Sequence, residues 1–305
     1  MTIFTVFTGG TISCSLSGDT LSPDAQNGYY LLDLARRAGA RAAFETAQPY
    51  LLLSENLDMA HLEALGDCIR KAIDRGFDRI IVTHGTDTLQ YTAAYLDLIF
   101  GGTDVAIALV SANYPLRDPR SNGLSNFMAA ELLLRTEAET GVFVPYQNTG
   151  DGFVTVHRGF DLLPHLPYDD ALKSVFGTPY GYVRGGAFER EAGYQGSARD
   201  KMPECTRRGR VLYLRPYVGM GYPRDLSGVG AVLLEGWHSG TLPTASAELA
   251  DFCRRAGESG VPLYLTGSTE GFNYESKREF DRLGITVLPP ASPIAAYVFL
   301  VVSSQ

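Results

Sequence analysis

Two short segments carry residue types that could do chemistry together. The first is Thr8-Gly9-Gly10-Thr11-Ile12 and the second is His84-Gly85-Thr86-Asp87-Thr88. A threonine hydroxyl is a weak nucleophile and attacks an acyl carbon only with help from a base or a local field. Glycines beside it let the backbone approach a substrate and present N–H donors to a developing oxyanion. Asp87 can hold a cationic group through a charge-assisted hydrogen bond. The bland readings are a turn hydroxyl at Thr11 that bonds its own backbone and a helix cap at Thr86 and Asp87. Both motifs together favour one active site with a threonine nucleophile, provided the fold brings them side by side.

The flanking sequence supplies that fold. Each motif follows an apolar run, Ile3–Phe7 and Arg79–Thr83, of the kind that forms a buried parallel strand. Each motif therefore sits at the carboxyl end of a strand, where open α/β sheets bind ligands. Further strands are expected at Tyr50–Ser54, Val105–Val110 and Val142–Pro145. Helices are expected at Tyr29–Ala38, Met59–Arg75 and Thr88–Phe100, with Gly39, Gly76 and Gly101 as stops. This βαβ alternation implies a larger N-terminal, doubly wound, mostly parallel sheet with helices on both faces. The polar, aperiodic stretch 188–208 reads as a linker between an α/β domain at 1–187 and a smaller C-terminal α/β domain at 209–305. In the second part, strands are expected at Val211–Arg215, Gly230–Leu234, Leu263–Thr266 and Ile285–Leu288, and helices at Ala245–Ala256 and Pro293–Val302.

Composition excludes several classes. The chain has 305 residues and a formal net charge of −8. It has no dense Lys/Arg run, so nucleic-acid binding is not expected; Arg207-Arg208-Gly209-Arg210 is the most basic spot and reads as solvated linker. No apolar run is long enough for a bilayer, and Met1 leads into a strand without signal-peptide features, so a cytoplasmic location is expected. The 4 cysteines are scattered, which supports neither a disulfide framework nor a metal site. The glycine spacing matches no phosphate-binding loop, and neither a metal nor a cofactor is expected.

The paired threonine motifs, in this order, resemble the two signatures of the bacterial-type L-asparaginase/glutaminase family. Leu53-Ser54-Glu55-Asn56-Leu57, the segment Ser111–Ala130, Leu172-Lys173-Ser174, Tyr180-Gly181-Tyr182-Val183 and Gly236-Trp237-His238-Ser239-Gly240-Thr241 are similar to further family segments. The resemblance spans nearly the whole chain and thins after about Asn148. It implies an amidohydrolase that converts L-asparagine to L-aspartate and ammonia through an acyl-enzyme on Thr11, with glutamine secondary. Thr86 would orient or activate water, or itself attack. Asp87 would hold the substrate α-ammonium and Ser54 its carboxylate. Gly10, Glu55 and Ser111 would complete the substrate site, and His84 would support its loop. A homodimer or homotetramer acting on a small amino-acid amide is implied.

The chain departs from the family pattern at Glu55, Asn56, Asn122 and Ser239, which stand where the family has other residues, and more seriously in two further places. The family carries a tyrosine on a loop after its first threonine, and Ser13–Gly28 has none; Tyr29 and Tyr30 are nearest. The family lysine that pairs with the second threonine and the aspartate falls near His157-Arg158. A histidine there could move a proton near neutral pH, whereas an arginine could only hold Asp87, so His157 is the expected catalytic partner. These departures keep two alternatives open: an amidase for another amide, and a homologue that binds amino acids without turnover.

Overall fold

The computed structural model describes residues 1–203, 205, 207–268 and 274–304, without the Ser17 side chain. The chain divides into two compact units, Met1–Gly196 and Ser197–Gln305.

In the first unit, β1 (Thr2–Phe7) leads into a hairpin of β2 (Cys14–Ser17) and β3 (Thr20–Pro23) and then α1 (Gln26–Arg37). There follow β4 (Ala43–Ala47), α2 (Met59–Asp74), β5 (Arg79–Thr83), α3 (Leu89–Phe100), β6 (Ala106–Val110), α4 (Gly123–Thr136) and β7 (Gly141–Tyr146). The unit closes with β8 (Val154–Arg158), β9 (Gly181–Arg184) and β10 (Ala187–Arg190). The main sheet has the order β10-β9-β8-β7-β6-β5-β1-β4. Strands β4, β1, β5, β6 and β7 are mutually parallel, and β8 to β10 extend the sheet antiparallel.

The strand order sets the position of the site. From β1 the chain crosses to β4 on one side, then returns to β5 on the other. The adjacent ends of β1 and β5 therefore flank a topological switch point, the crevice where doubly wound sheets bind ligands. On one sheet face, Ile3, Phe7, Ile81, Ala108 and Val110 pack with Leu31, Leu32 and Ala35 of α1 and Phe127, Ala130 and Leu133 of α4. Helix α2 packs against α3. Its Leu62, Leu65, Ile69 and Ala72 recur at helical spacing and are all buried. Burying each such large aliphatic side chain contributes about 1.5–3 kcal/mol. Asp58 caps α2 by accepting the His61 N–H at 3.0 Å.

Several boundaries differ from the sequence reading. The apolar run at Tyr50–Ser54 is not a strand: only Leu52 pairs, in a single parallel bridge to Gly9. The edge strand beside β1 is Ala43–Ala47, whose half-exposed residues gave no apolar run. The buried Glu131 carboxylate of α4 holds the turn before it, accepting the Arg41 and Ala42 N–H groups at 3.0 Å each. The stretch read as linker holds β10 and a 3-10 turn at Arg199–Lys201, and the division between units falls after Gly196.

The second unit holds β11 (Arg210–Leu214), β12 (Val229–Glu235), α5 (Ala247–Glu258), β13 (Leu263–Thr266), α6 (Glu275–Arg278), β14 (Ile285–Val287) and α7 (Pro293–Ser303). Its four strands are parallel in the order β11-β12-β13-β14. The apolar α7 packs on β11 and β12, so it is core of its own unit. Arg207 is a tie within the unit, its guanidinium donating to the Ser259 and Gly260 carbonyls at 2.7 and 2.8 Å. None of the described helices is long and apolar enough to cross a membrane.

Candidate active site

The two threonine motifs meet at the switch point. Thr8, buried just past β1, donates its hydroxyl to the Thr83 carbonyl at the end of β5, at 2.6 Å. Gly9 and Gly10 then adopt φ of 112° and 75°, a region that disfavours residues with a β-carbon. A β-carbon built on Gly10 would lie 2.2 Å from the Gly85 N and Cα. Glycine therefore faces glycine where the first motif crosses the second. Thr11 follows, half-buried, at the start of a one-turn 3-10 helix, Thr11–Ser13. The Gly10 N–H donates to the Leu52 carbonyl at 2.9 Å, so it serves the loop and not a substrate oxygen.

Ser54 joins the same cluster. It opens a 3-10 turn, Ser54–Asn56, and is buried against Gly85; a β-carbon on Gly85 would lie 2.3 Å from Ser54 Oγ. Ser54 Oγ donates to Asp87 Oδ2 at 3.3 Å, and the Ser54 carbonyl accepts the Thr88 hydroxyl at 2.9 Å. The helix after the second motif has Thr88 as its N-cap, with no side-chain cap hydrogen bond. Capping therefore does not explain the hydroxyl and carboxylate of Thr86 and Asp87. Asp87 is exposed, as are Glu55 and Asn56. Ser111 lies just past β6, buried, with its hydroxyl unpartnered among the described residues and its carbonyl accepting Asn126 Nδ2 at 2.9 Å.

His84 is buried under the second motif. Its Nδ1 contacts the Gly85 carbonyl at 2.8 Å and its Nε2 the Thr92 hydroxyl at 2.8 Å. Burial pushes its pKa down to about 4. With both nitrogens occupied, the neutral ring braces the loop. Cys14, close in sequence to Thr11, donates to the Gly10 carbonyl at 3.3 Å. Burial, then the Glu55 carboxylate, raise its thiol pKa and leave it protonated.

The two more serious departures from the family pattern resolve differently. Tyr29 and Tyr30 both lie within α1, and Arg117 stacks on Tyr30 at 4.2 Å. Neither is on the hairpin after Thr11. The hairpin instead faces the segment after β6 across a cleft of about 620 Å³, lined by Cys14, Leu16, Leu21, Tyr114, Arg117 and Arg120. His157 lies on β8, buried, with Nδ1 on Ser174 Oγ at 2.8 Å. Its Nε2 is unpartnered among the described residues, and burial pushes its pKa down to about 3. So depressed, it is a weak base. Arg158 points elsewhere, stacked on Phe143 at 4.6 Å and donating to the Thr140 carbonyl. The lysines of this unit do not substitute. Lys173 is exposed and paired with Asp169 at 3.5 Å. Lys71 lies in the last turn of α2, the end away from the site.

One residue near the site was not legible in the sequence. His165 lies on a strap that folds back from β8 over the segment 162–174. Leu162 bridges Ser174, and the far end is fastened by Asp170. That carboxylate accepts from Tyr146 Oη at 2.7 Å, Thr149 Oγ1 at 2.9 Å and Asn113 Nδ2 at 3.0 Å. The strap thus returns to the strand edge that carries the motifs. Among the described residues, no group of three or more His, Cys, Asp or Glu side chains could hold a metal ion.

Comparison with known proteins fits this geometry. The model of the N-terminal asparaginase domain matches residues 2–187, the portion that contains every candidate residue above, and the chain belongs to the asparaginase family. It is 35% identical over 133 residues to a glutamyl-tRNA(Gln) amidotransferase subunit from Methanosarcina barkeri strain Fusaro, covering 43% of this chain and 31% of that protein. It is 28% identical over 267 residues to the protein of the same name from Methanococcus maripaludis strain C5, covering 82% of this chain and 62% of that protein. The chain thus spans about a third to three fifths of these relatives. The thermostable L-asparaginase from Thermococcus kodakarensis has the same fold, with a TM-score of 0.76 at 20% identity over 97% of this chain and 91% of that one.

Proposed function

We propose that this member of the asparaginase family hydrolyses the side-chain amide of L-asparagine, forming L-aspartate and ammonia through an acyl-enzyme on Thr11. The observation that supports this most is the glycine-on-glycine crossing of the two threonine motifs, with Ser54 and Asp87 hydrogen-bonded beside it. An amide is a poor electrophile with a poor leaving group, so its hydrolysis needs a positioned nucleophile and proton transfer. In this reading Thr11 Oγ attacks the amide carbon and the amide nitrogen leaves as ammonia. Water, oriented by Thr86, then releases aspartate. The Asp87 carboxylate holds the α-ammonium and Ser54 lies beside the α-carboxylate. Gly10 gives the close approach, and Glu55 and Ser111 would complete the substrate site. The oligomer expected is a homodimer or homotetramer.

A second reading has a specific motive. The relatives named as part of an amidotransferase suggest an amide nitrogen released for use by a partner, which would favour glutamine or another amide. Ammonia release from purified protein with L-asparagine, L-glutamine, D-asparagine and a panel of substituted amides separates the two. Preference for L-asparagine supports the first reading. Preference for glutamine or a substituted amide moves the assignment to the second. Aspartate binding without release from any amide would contradict both.

A further inference from the structure

We propose that His165 is the proton acceptor on the Asp87 side of this site, taking the role left open by the missing lysine. The inference rests on the amidohydrolase reading above.

Four observations carry it. First, the strap is held in place and not draped loosely, because three donors converge on Asp170. Second, the His165 ring packs edge-on against Tyr146 at 5.7 Å between centroids, at the carboxyl end of β7. That end belongs to the same sheet edge as Thr11, Thr86 and Ser111. Third, His165 Nε2 is buried and unpartnered among the described residues. Such a nitrogen is costly to leave unsatisfied and is commonly kept for a ligand or a reaction. Fourth, the Asp87 carboxylate is close enough to act electrostatically on the ring.

The surroundings fix its protonation state. Asp170, Asp87 and Asp169 face it as carboxylates, His157 as a neutral imidazole, and Tyr146 as a protonated phenol. Burial outweighs the carboxylates and lowers its pKa below the ordinary histidine value. His165 is therefore neutral at pH 7 and able to accept a proton. His157 is buried more deeply and its pKa is pushed down to about 3, which leaves His165 the better base of the pair.

In deacylation the water oxygen bonds to the acyl carbon of the Thr11 ester, and one water proton passes to His165 Nε2, directly or through the Thr86 hydroxyl. The bond from the acyl carbon to Thr11 Oγ breaks, and the imidazolium proton returns to Thr11 Oγ. Aspartate leaves, and the neutral imidazole and free hydroxyl are restored.

The test combines kinetics with titration. His165→Gln keeps the size of the side chain but cannot carry the proton. It is expected to lower kcat by roughly 10²-fold or more, leave KM nearly unchanged, and remove the acid limb of the kcat/KM profile. In His165→Ala, which vacates the space of the ring, added imidazole should restore part of the lost kcat. His157→Gln should keep that limb. Wild-type-like kcat in His165→Gln, or a loss confined to KM, would overturn the proposal. Imidazole NMR tests it without turnover, so a failed substrate assignment is told apart from a failed role. The His165 resonance should titrate below the ordinary histidine value. It should shift lower still in Asp87→Asn, because that change removes a charge that raises it. No response to Asp87→Asn would place His165 outside the site.

Discussion

Replacing Gly10 with alanine tests the crossing of the two motifs. Gly10 has φ 75° and ψ 179°, a combination essentially restricted to glycine, and forcing another residue into it costs about 1–3 kcal/mol. The new β-carbon would sit 2.2 Å from the Gly85 N and Cα. Ordinary carbon contacts are about 3.5–4.0 Å, so the loops must part by more than about 1 Å. Overpacking of this kind costs about 1–3 kcal/mol more. The sum is roughly 2–6 kcal/mol, or a fall in melting temperature of about 4–24 °C for a unit of this size. Parting Thr11 from the Thr86 loop by about 1 Å should lower kcat/KM for amide hydrolysis about 10²-fold. Gly18→Ala is the control. Gly18 also has positive φ, 65°, but nothing within 4 Å of a built β-carbon. It should lose only about 1–2 kcal/mol of backbone strain and keep its activity. Ammonia release and thermal melting on both variants give the answer. Gly10→Ala with wild-type kcat/KM and melting temperature would refute the crossing as the feature that builds the site.

Other changes have definite expected outcomes. Asp87→Asn should lower kcat/KM by roughly 10–10²-fold, mostly through KM, as a charge-assisted contact worth about 1.5–3 kcal/mol is lost; steady-state kinetics with L-asparagine measure it. Asp170→Ala leaves three donors without their acceptor and frees the strap; chemical denaturation should show about 2–4 kcal/mol of lost stability, with lowered kcat. His84 and His157 are neutral when folded, with pKa values lowered to about 4 and about 3, so the unfolded chain binds more protons in mildly acidic solution. Their contribution is complete above the unfolded value of about 6.5 and is lost as pH falls from there toward about 4 for His84 and about 3 for His157, roughly 3 kcal/mol for His84. Urea midpoints measured from pH 7 to pH 4.5 should fall; a flat series would mean that these rings are not buried as neutral groups. Cys14 should resist alkylation at pH 7, as a buried thiol with a raised pKa; rapid labelling followed by peptide mapping checks it.

The parts of the fold legible in the sequence are those where burial dictates residue type. Strands β1, β5, β6 and β7 are buried on both faces and read as apolar runs. Helix α2 announces itself through the Leu62, Leu65 and Ile69 stripe and the Gly76 stop. Edge strands obey weaker rules. Ala43–Ala47 is half-exposed, so its composition carries little signal, and the more apolar Tyr50–Ser54 reads as the strand instead. Strands β8 to β10 join antiparallel at the far end of the sheet and were absent from the βαβ rhythm. The site was legible where chemistry is local. The two threonine motifs, the second with Asp87, sit just past β1 and β5, and the switch point brings them together, with Ser54 in the turn against Gly85. His165 was not legible, because only the Asp170 anchor, a contact between a strap and three separate elements, returns it to that edge. The same holds for the Gly10 N–H, whose donor role to a substrate looked available until Leu52 was seen to accept it.

The most direct test is to trap the acyl-enzyme. Purified protein mixed with L-asparagine is quenched in acid within milliseconds, then examined by intact mass spectrometry and peptide mapping, beside Thr11→Ala and Thr86→Ala. An aspartyl adduct mapped to Thr11, absent from Thr11→Ala and accumulating in Thr86→Ala, is the expected result. Undiminished ammonia release from Thr11→Ala, or an adduct mapped to Thr86, would contradict Thr11 as the nucleophile.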